Sequence, residues 1–177
     1  MLIGGFTRLC AEEYEPLFSR IGKGWMLIGA TDGERANIMT ASWGGLGYVW
    51  NKPIAMCFIR PERYTCPLAD AGERLSISFL DEGYRDSLIF CGRHSGREGD
   101  KFAGAGLHCV WREGTPYPAE ASSVLLCRKL YAGDLLREDF ADAALVEAHY
   151  GEGNLHRLFL CEIEEVLVRC ASAERSS

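Results

Sequence analysis

The 177-residue sequence contains no run of basic residues, no C-x-x-C pair and no apolar stretch long enough to cross a bilayer, and each absence removes a class of function. A chain of net charge −6 with no Lys/Arg-rich segment offers a polyanion such as DNA no stripe to follow, so nucleic-acid binding is not expected. The longest uncharged stretch, Ala36 to Asn51, is broken by Asn, Thr and Ser. It falls short of the roughly 18 to 20 apolar residues of a membrane span, so no integral membrane segment is expected. The eight cysteines, at 10, 57, 66, 91, 109, 127, 161 and 170, are never closer than nine positions, which excludes zinc-finger and thioredoxin spacings. No basic head precedes the apolar residues of MLIGGFTRLCAEEYE, so a secretory signal is not expected, and the cysteine usage suits a reducing cytoplasm. A dinucleotide fingerprint is missing too: GGLG (44–47) runs into aromatic residues and GAG (104–106) into an extended segment, with no helix after either.

What is present fits one globular domain over 1–177, with 47% hydrophobic and 25% charged residues. A chain of this length buries roughly 70% of its unfolded surface and needs no disulfide or metal staple. Cys57, Cys127 and Cys161, inside AMCFI, VLLCRKL and LFLCEI, read as small buried apolar residues. The negative charge is concentrated late: residues 134–177 carry 10 acids against 4 Lys+Arg, whereas 1–133 carry 15 of each.

Residues 11–21 have helical spacing through Tyr14, Leu17, Phe18 and Ile21, with Gly22 as the stop. Strands are predicted at 25–31, 36–43, 53–60, 73–80, 122–132 and 156–170, with a turn at Asp32-Gly33. Short helices fit within PERYTCPLADAG, from Asp81 to Gly92, and over 141–150. Strands joined mostly without helical crossovers predict a mainly antiparallel β-barrel with a few short peripheral helices. The barrel is placed at about 25–168, after an N-terminal helical region (1–24) and before a frayed tail (171–177).

Three segments could carry chemistry. NIMTASW (37–43) puts an amide, two hydroxyls and an indole on one strand, which fits either a partly solvated strand bonding its own backbone or a surface facing a polar, planar ligand. CFIRPERYTC places Arg60, Arg63 and Thr65 where a strand gives way to a loop. GRHSGREGDKF gathers Arg93, Ser95, Gly96, Arg97 and Lys101 ahead of a helical turn, a pattern suited to an anion. Each cluster also carries acids (Glu62; Glu98 and Asp100), so surface ion pairing is the alternative for either alone. Together they supply donors for a phosphate, hydroxyls for a polyol and an aromatic wall for a fused ring, the three parts of flavin mononucleotide (FMN).

The ordered blocks WMLIGATDG, NIMTASWGGLGYVWNKPIA, FIRPERYT, CGRHSGREGDKF and HRLFLCEIEEVLV resemble the flavin reductase-like family that includes flavoredoxin, from about Trp25 to Val168. The resemblance implies a homodimer of split β-barrels binding FMN near the subunit interface. It places Asn37, Met39, Thr40, Ala41, Ser42 and Trp43 at the ribityl chain and ring, and Arg60, Arg63, Thr65, Ser95, Gly96, Arg97 and Lys101 around the phosphate and its neighbourhood, with their division between phosphate and ring edge left open. His156, just before the last strand, matches a histidine seen there in flavin reductases and is the candidate catalytic residue; on the residues alone, a core or surface histidine is the alternative. Many members read I-G-E-I in the last strand, where this chain has Leu160-Cys161-Glu162-Ile163, so Cys161 faces either the ligand or the core.

The activity so implied is hydride transfer from NAD(P)H to FMN, with electrons passed to a second flavin, an iron–sulfur protein or another acceptor. Three rivals stay open: an electron carrier holding FMN without a nicotinamide site, a ligand-free interaction dimer, and a metal module using Cys91, His94, His108 and Cys109. The last is disfavoured because adjacent strand residues point to opposite faces, and no metal is expected.

Overall fold

The computed structural model describes residues 2–3, 6–7 and 10–170, so the tail expected at 171–177 lies outside the described residues. Two short strands, β1 (Leu2–Ile3) and β2 (Phe6–Thr7), pair ahead of helices α1 (Ala11–Tyr14) and α2 (Pro16–Ser19) and a π turn over Arg20–Gly24. The single helix predicted over 11–21 is therefore broken. Pro16 forces its predecessor Glu15 into an extended conformation, and the Glu15 carboxylate then caps α2 at the Leu17 N–H. Ile21 is buried from this stripe, while Phe18 stands in solvent.

The strands follow as β3 (Met26–Thr31), β4 (Ala36–Ala41), β5 (Gly44–Val49) and β6 (Lys52–Ile59). Then come α3 (Thr65–Ala71), β7 (Arg74–Phe79), a 3-10 turn (Glu82–Tyr84), α4 (Arg85–Arg93) and α5 (Lys101–Gly104). The hairpin β8 (Cys109–Arg112) and β9 (Thr115–Pro118), the long β10 (Ser123–Asp134), helix α6 (Ala143–His149) and β11 (Arg157–Val168) complete the chain. Among the described residues no helix is long and apolar enough to cross a membrane.

Seven strands form one antiparallel sheet in the order β4-β3-β7-β10-β11-β6-β5. Its two edges, β4 and β5, are consecutive in the chain and joined by Ser42–Trp43, so the sheet curls until its edges meet at that corner. A side chain at Gly44 would strike the Met56 carbonyl at 2.6 Å and the Met26 Cε at 2.7 Å, which is why the corner needs glycine. The mainly antiparallel barrel with short peripheral helices is the architecture observed.

The strand β5 was not foreseen, because its turn residues Trp50 and Asn51 adopt positive φ without a glycine to announce them. Helix α4 runs one residue past Gly92, and a 3-10 turn with no side-chain cap from Asp81 precedes it.

Met26, Ile28, Met39, Cys57, Leu75, Ile77, Phe159 and Cys161 fill the barrel. On the outer face, Leu27 and Ile38 pack against Leu88, Cys91 and Phe102 beneath α4 and α5. Cys161 is therefore a core residue. Burial among Cys57, Cys127 and their neighbours pushes its thiol up to about 12, and it lines neither cavity described below.

Candidate functional site

The closed corner of the barrel brings the three singled-out segments together. β4 ends at Ala41; Pro61 ends β6 and starts a turn in which Arg63 N–H donates to the Arg60 carbonyl at 3.0 Å; and α4 releases the chain at Arg93 into the 94–100 loop. Two adjoining cavities result, of about 560 and about 230 Å³. Asn37, Thr65, Ser95, Gly96, Arg97 and Lys101 line the larger. Thr40, Ala41, Ser42, Trp43 and His156 line the smaller. Met39, Arg60 and Arg63 line both.

The larger cavity is cationic because its acids are committed elsewhere. Glu98 accepts the Ser95 N–H at 3.3 Å, and Asp100 caps α5 by accepting the Phe102 N–H at 2.8 Å. Glu62 alone comes near a guanidinium, 3.7 Å from Arg60. Among the described residues, Arg63, Arg93, Arg97 and Lys101 have no carboxylate within ion-pair distance. Surface ion pairing, the alternative open at the level of sequence, does not account for them.

Lys101 is 5% exposed and its Nζ donates to the Cys91 carbonyl at 2.5 Å. Burial, helped by the Arg63 charge, lowers it to about 8. A buried ammonium next to an arginine, with only a carbonyl as partner, is a site that an anion would stabilise. Arg63 donates to the Gly92 carbonyl at 2.9 Å, and Arg97 donates to the Glu62 carbonyl at 3.2 Å with its guanidinium 5.3 Å from the Tyr64 ring centroid. Backbone carbonyls orient the guanidinium groups without neutralising them.

Some hydroxyls and glycines have a different task from the one their sequence suggests. Thr40 Oγ1 donates to the Leu88 carbonyl at 2.5 Å and so pins α4 to β4. Asn37 Nδ2 donates to Thr65 Oγ1 at 2.9 Å, both residues being buried. Gly96 is required by this pair, since a Cβ there would lie 2.4 Å from both Asn37 Oδ1 and a Tyr64 ring carbon.

The smaller cavity is aromatic. The Trp43 ring lies 4.9 Å from His156 and meets His149 edge-on at 5.3 Å, and the Phe58 ring meets His156 edge-on at 6.4 Å. The Tyr150 hydroxyl is 2.9 Å from His156 Nδ1, and Arg60 donates to the His149 carbonyl at 2.7 Å. Burial, and then the charge of Arg60, lower His156 to about 4, so its imidazole is neutral near pH 7.

An NMR titration of the His156 ring is expected to show a midpoint near 4, and Arg60→Gln is expected to raise it. Because the unfolded value is about 6.5, the unfolded chain takes up the proton first. Stability is therefore expected to fall as pH drops from about 6.5 toward about 4, measurable by denaturant unfolding across that range.

Sequence reasoning missed Phe58, Tyr64, His149 and Tyr150. Tyr64 sits inside the RPERYT block and could have been included from it. Phe58 lies on β6 and reads as a core strand residue, and His149-Tyr150 reads as a helix end that only the folded-back 143–150 segment brings to Trp43. The four metal-ligand candidates are scattered in role: Cys91 is buried in the outer core, His94 stacks on Phe90 at 3.9 Å, His108 pairs with Glu120, and Cys109 is exposed at the start of β8. Among the described residues no three such side chains converge.

The flavin reductase like domain model matches residues 18–175. Solved structures share the fold. A flavoredoxin from Methanosarcina acetivorans aligns with a TM-score of 0.66 at 20% identity, over 82% of this chain and 68% of that one. An FMN-binding protein from Thermus thermophilus with bound p-hydroxybenzaldehyde gives 0.64 at 25%, over 82% and 71%. An NADH:FAD oxidoreductase from Streptomyces globisporus C-1027, in complex with NAD and FAD fragments, gives 0.63 at 18%, over 92% and 87%. No curated protein sequence matches the chain. With a family match spanning nearly all of its length and a barrel shared with those structures, the chain belongs to the flavin reductase like domain family.

Proposed function

We propose that the paired cavities hold FMN, phosphate in the cationic one and ring toward Trp43, and that the protein is an NAD(P)H-dependent flavin reductase. The observation that carries this reading is Lys101: a buried ammonium without a carboxylate partner among the described residues, in a cavity that shares Met39, Arg60 and Arg63 with an aromatic slot. The FMN-binding relative from Thermus thermophilus and the NADH:FAD oxidoreductase from Streptomyces globisporus support flavin and nicotinamide as the ligand classes.

Bound flavin would supply the two-electron chemistry. Lys101, Arg97 and Arg63 would neutralise the phosphate, with Ser95 as a further donor. Arg60 and Arg63, which line both cavities, would stabilise negative charge on a reduced ring. Trp43 would form one apolar wall and, with the neutral His156, border the space left for a second planar ring. The acceptor of the electrons is proposed to be a free flavin or a redox protein.

A homodimer is part of this reading. It is supported by the exposed apolar residues Leu46, Tyr48 and Val49 on the edge strand β5 and Trp50 in the turn that follows it. Sedimentation equilibrium is expected to give twice the chain mass.

The visible absorption spectrum of purified protein, followed by chromatography of the acid-released chromophore, identifies the flavin. Steady-state NAD(P)H oxidation with added FMN then separates reductase from carrier: bound flavin without turnover would replace the reductase reading with an electron carrier. FMN affinity is also expected to fall as pH rises above about 8, by up to about tenfold per unit for one proton, because Lys101 loses the charge that the phosphate needs. Isothermal titration at pH 7 and 9 measures this.

A further inference from the structure

Two residues that line the aromatic cavity, Trp43 and His156, are themselves packed against a segment outside both arginine bends. Helix α6 ends at His149, and Tyr150 folds back so that its ring is 5.5 Å from His156 and 6.3 Å from Trp43. Phe140 meets the Tyr150 ring edge-on at 6.3 Å. Arg60 fastens the segment, donating to the His149 carbonyl at 2.7 Å with its guanidinium 5.2 Å from the Tyr150 ring centroid. Phe140 and Arg60 thus both hold the Tyr150 ring whose Oη lies 2.9 Å from His156 Nδ1.

The direction of that hydrogen bond decides what His156 can do. Burial raises the Tyr150 phenol and lowers His156 to about 4, so two neutral groups face one another near pH 7. The charges around His156 favour the same state, since Arg60 and Arg63 oppose an imidazolium and only Glu62 favours it; at Tyr150 the Arg60 charge works against burial, which is the larger effect. An imidazole nitrogen is the stronger acceptor, and a phenol hydrogen turned away from it would have no partner among the described residues. The phenol therefore donates to Nδ1, and the ring proton sits on Nε2. Nε2 has no protein partner among the described residues, and the ring lines the smaller cavity.

We infer that Tyr150 is a positioning residue: it fixes His156 as the Nε2–H tautomer, which gives the aromatic cavity one uncharged donor suited to a planar ring bearing a carbonyl or carboxamide oxygen. This ligand class rests on the flavin-site reading for its biological meaning, whereas the tautomer does not. A donor that stays neutral over the physiological range holds a carbonyl without inviting a carboxylate, and Trp43 selects for flatness. Tyr150 acts through His156 and need not touch the ligand.

The test is a long-range 15N–1H correlation spectrum of the full chain labelled at histidine nitrogens, near pH 7 and without added ligand. His156→Gln assigns the signal among the four histidines. The expected result is a protonated Nε2 and an acceptor Nδ1 in the wild type, with the two tautomers mixed in Tyr150→Phe. Benzamide serves as the probe ligand; it is expected to shift the His156 Nε2 resonance, with about tenfold weaker binding in Tyr150→Phe. A wild-type ring protonated at Nδ1, or an unchanged tautomer in Tyr150→Phe, overturns the inference. If Tyr150→Phe does not fold, the wild-type spectrum still decides, since a proton on Nδ1 contradicts it and one on Nε2 supports it. Failure of FMN to bind would sink the flavin reading and leave the tautomer result standing.

Discussion

Replacing Arg97 and Lys101 together by alanine is expected to weaken FMN binding by about a hundred- to ten-thousandfold while the chain stays folded. Each is expected to make a charge-assisted bond to phosphate of about 1.5–3 kcal/mol, and two such losses sum to several kcal/mol. The fold should survive because neither residue holds it through an ion pair. Lys101 bonds one carbonyl, Arg97 bonds another from an exposed loop, and α5 keeps its cap from Asp100. Removing the buried ammonium also relieves a desolvation cost, so the melting temperature should not fall. Fluorescence titration with FMN and thermal unfolding of the same preparation measure both halves. Unchanged affinity would move the phosphate elsewhere.

Gly96→Ala is the second large effect. A methyl group 2.4 Å from Asn37 Oδ1 and from the Tyr64 ring cannot be absorbed by either neighbour alone, because Asn37 is buried and bonded to Thr65. Either that bond breaks, leaving a buried amide unsatisfied, or the 95–97 loop swings away and takes Arg97 with it. We expect a loss of about 1–3 kcal/mol in stability and at least about tenfold in FMN affinity. Gly83→Ala, where an added Cβ meets nothing within 4 Å, is the control and should change neither.

The barrel was legible because its strands alternate or run apolar over the right lengths and join through short turns. The candidate site was legible as three segments, since hydroxyls on one strand and arginines at two bends are unusual in a plain barrel. What each residue does was not. Nothing local says that Glu98 and Asp100 are spent on backbone caps, and that spending is what leaves Arg97 and Lys101 unbalanced. Thr40 looked like a ligand hydroxyl and instead bonds a carbonyl about fifty residues away in sequence. Ser76 and Ser78 alternate with the apolar Leu75, Ile77 and Phe79, yet both are buried, with Ser76 bonded to the Pro116 carbonyl of the β8–β9 hairpin. The Tyr150–His156 contact depends on how the segment after β10 folds back, which no periodicity encodes. Cys161 could face ligand or core until the strand register put it beside Ala55 inside the barrel.

The central claim is that Lys101, Arg97 and Arg63 receive a phosphate while Trp43 borders the ring attached to it. Equilibrium titration of the purified full chain with FMN and with riboflavin, which differ only in that phosphate, tests it most directly. The account expects FMN to bind at least about a hundredfold more tightly, with the preference collapsing in the Arg97→Ala, Lys101→Ala double variant. Equal affinity for the two flavins, or none for either, would contradict it.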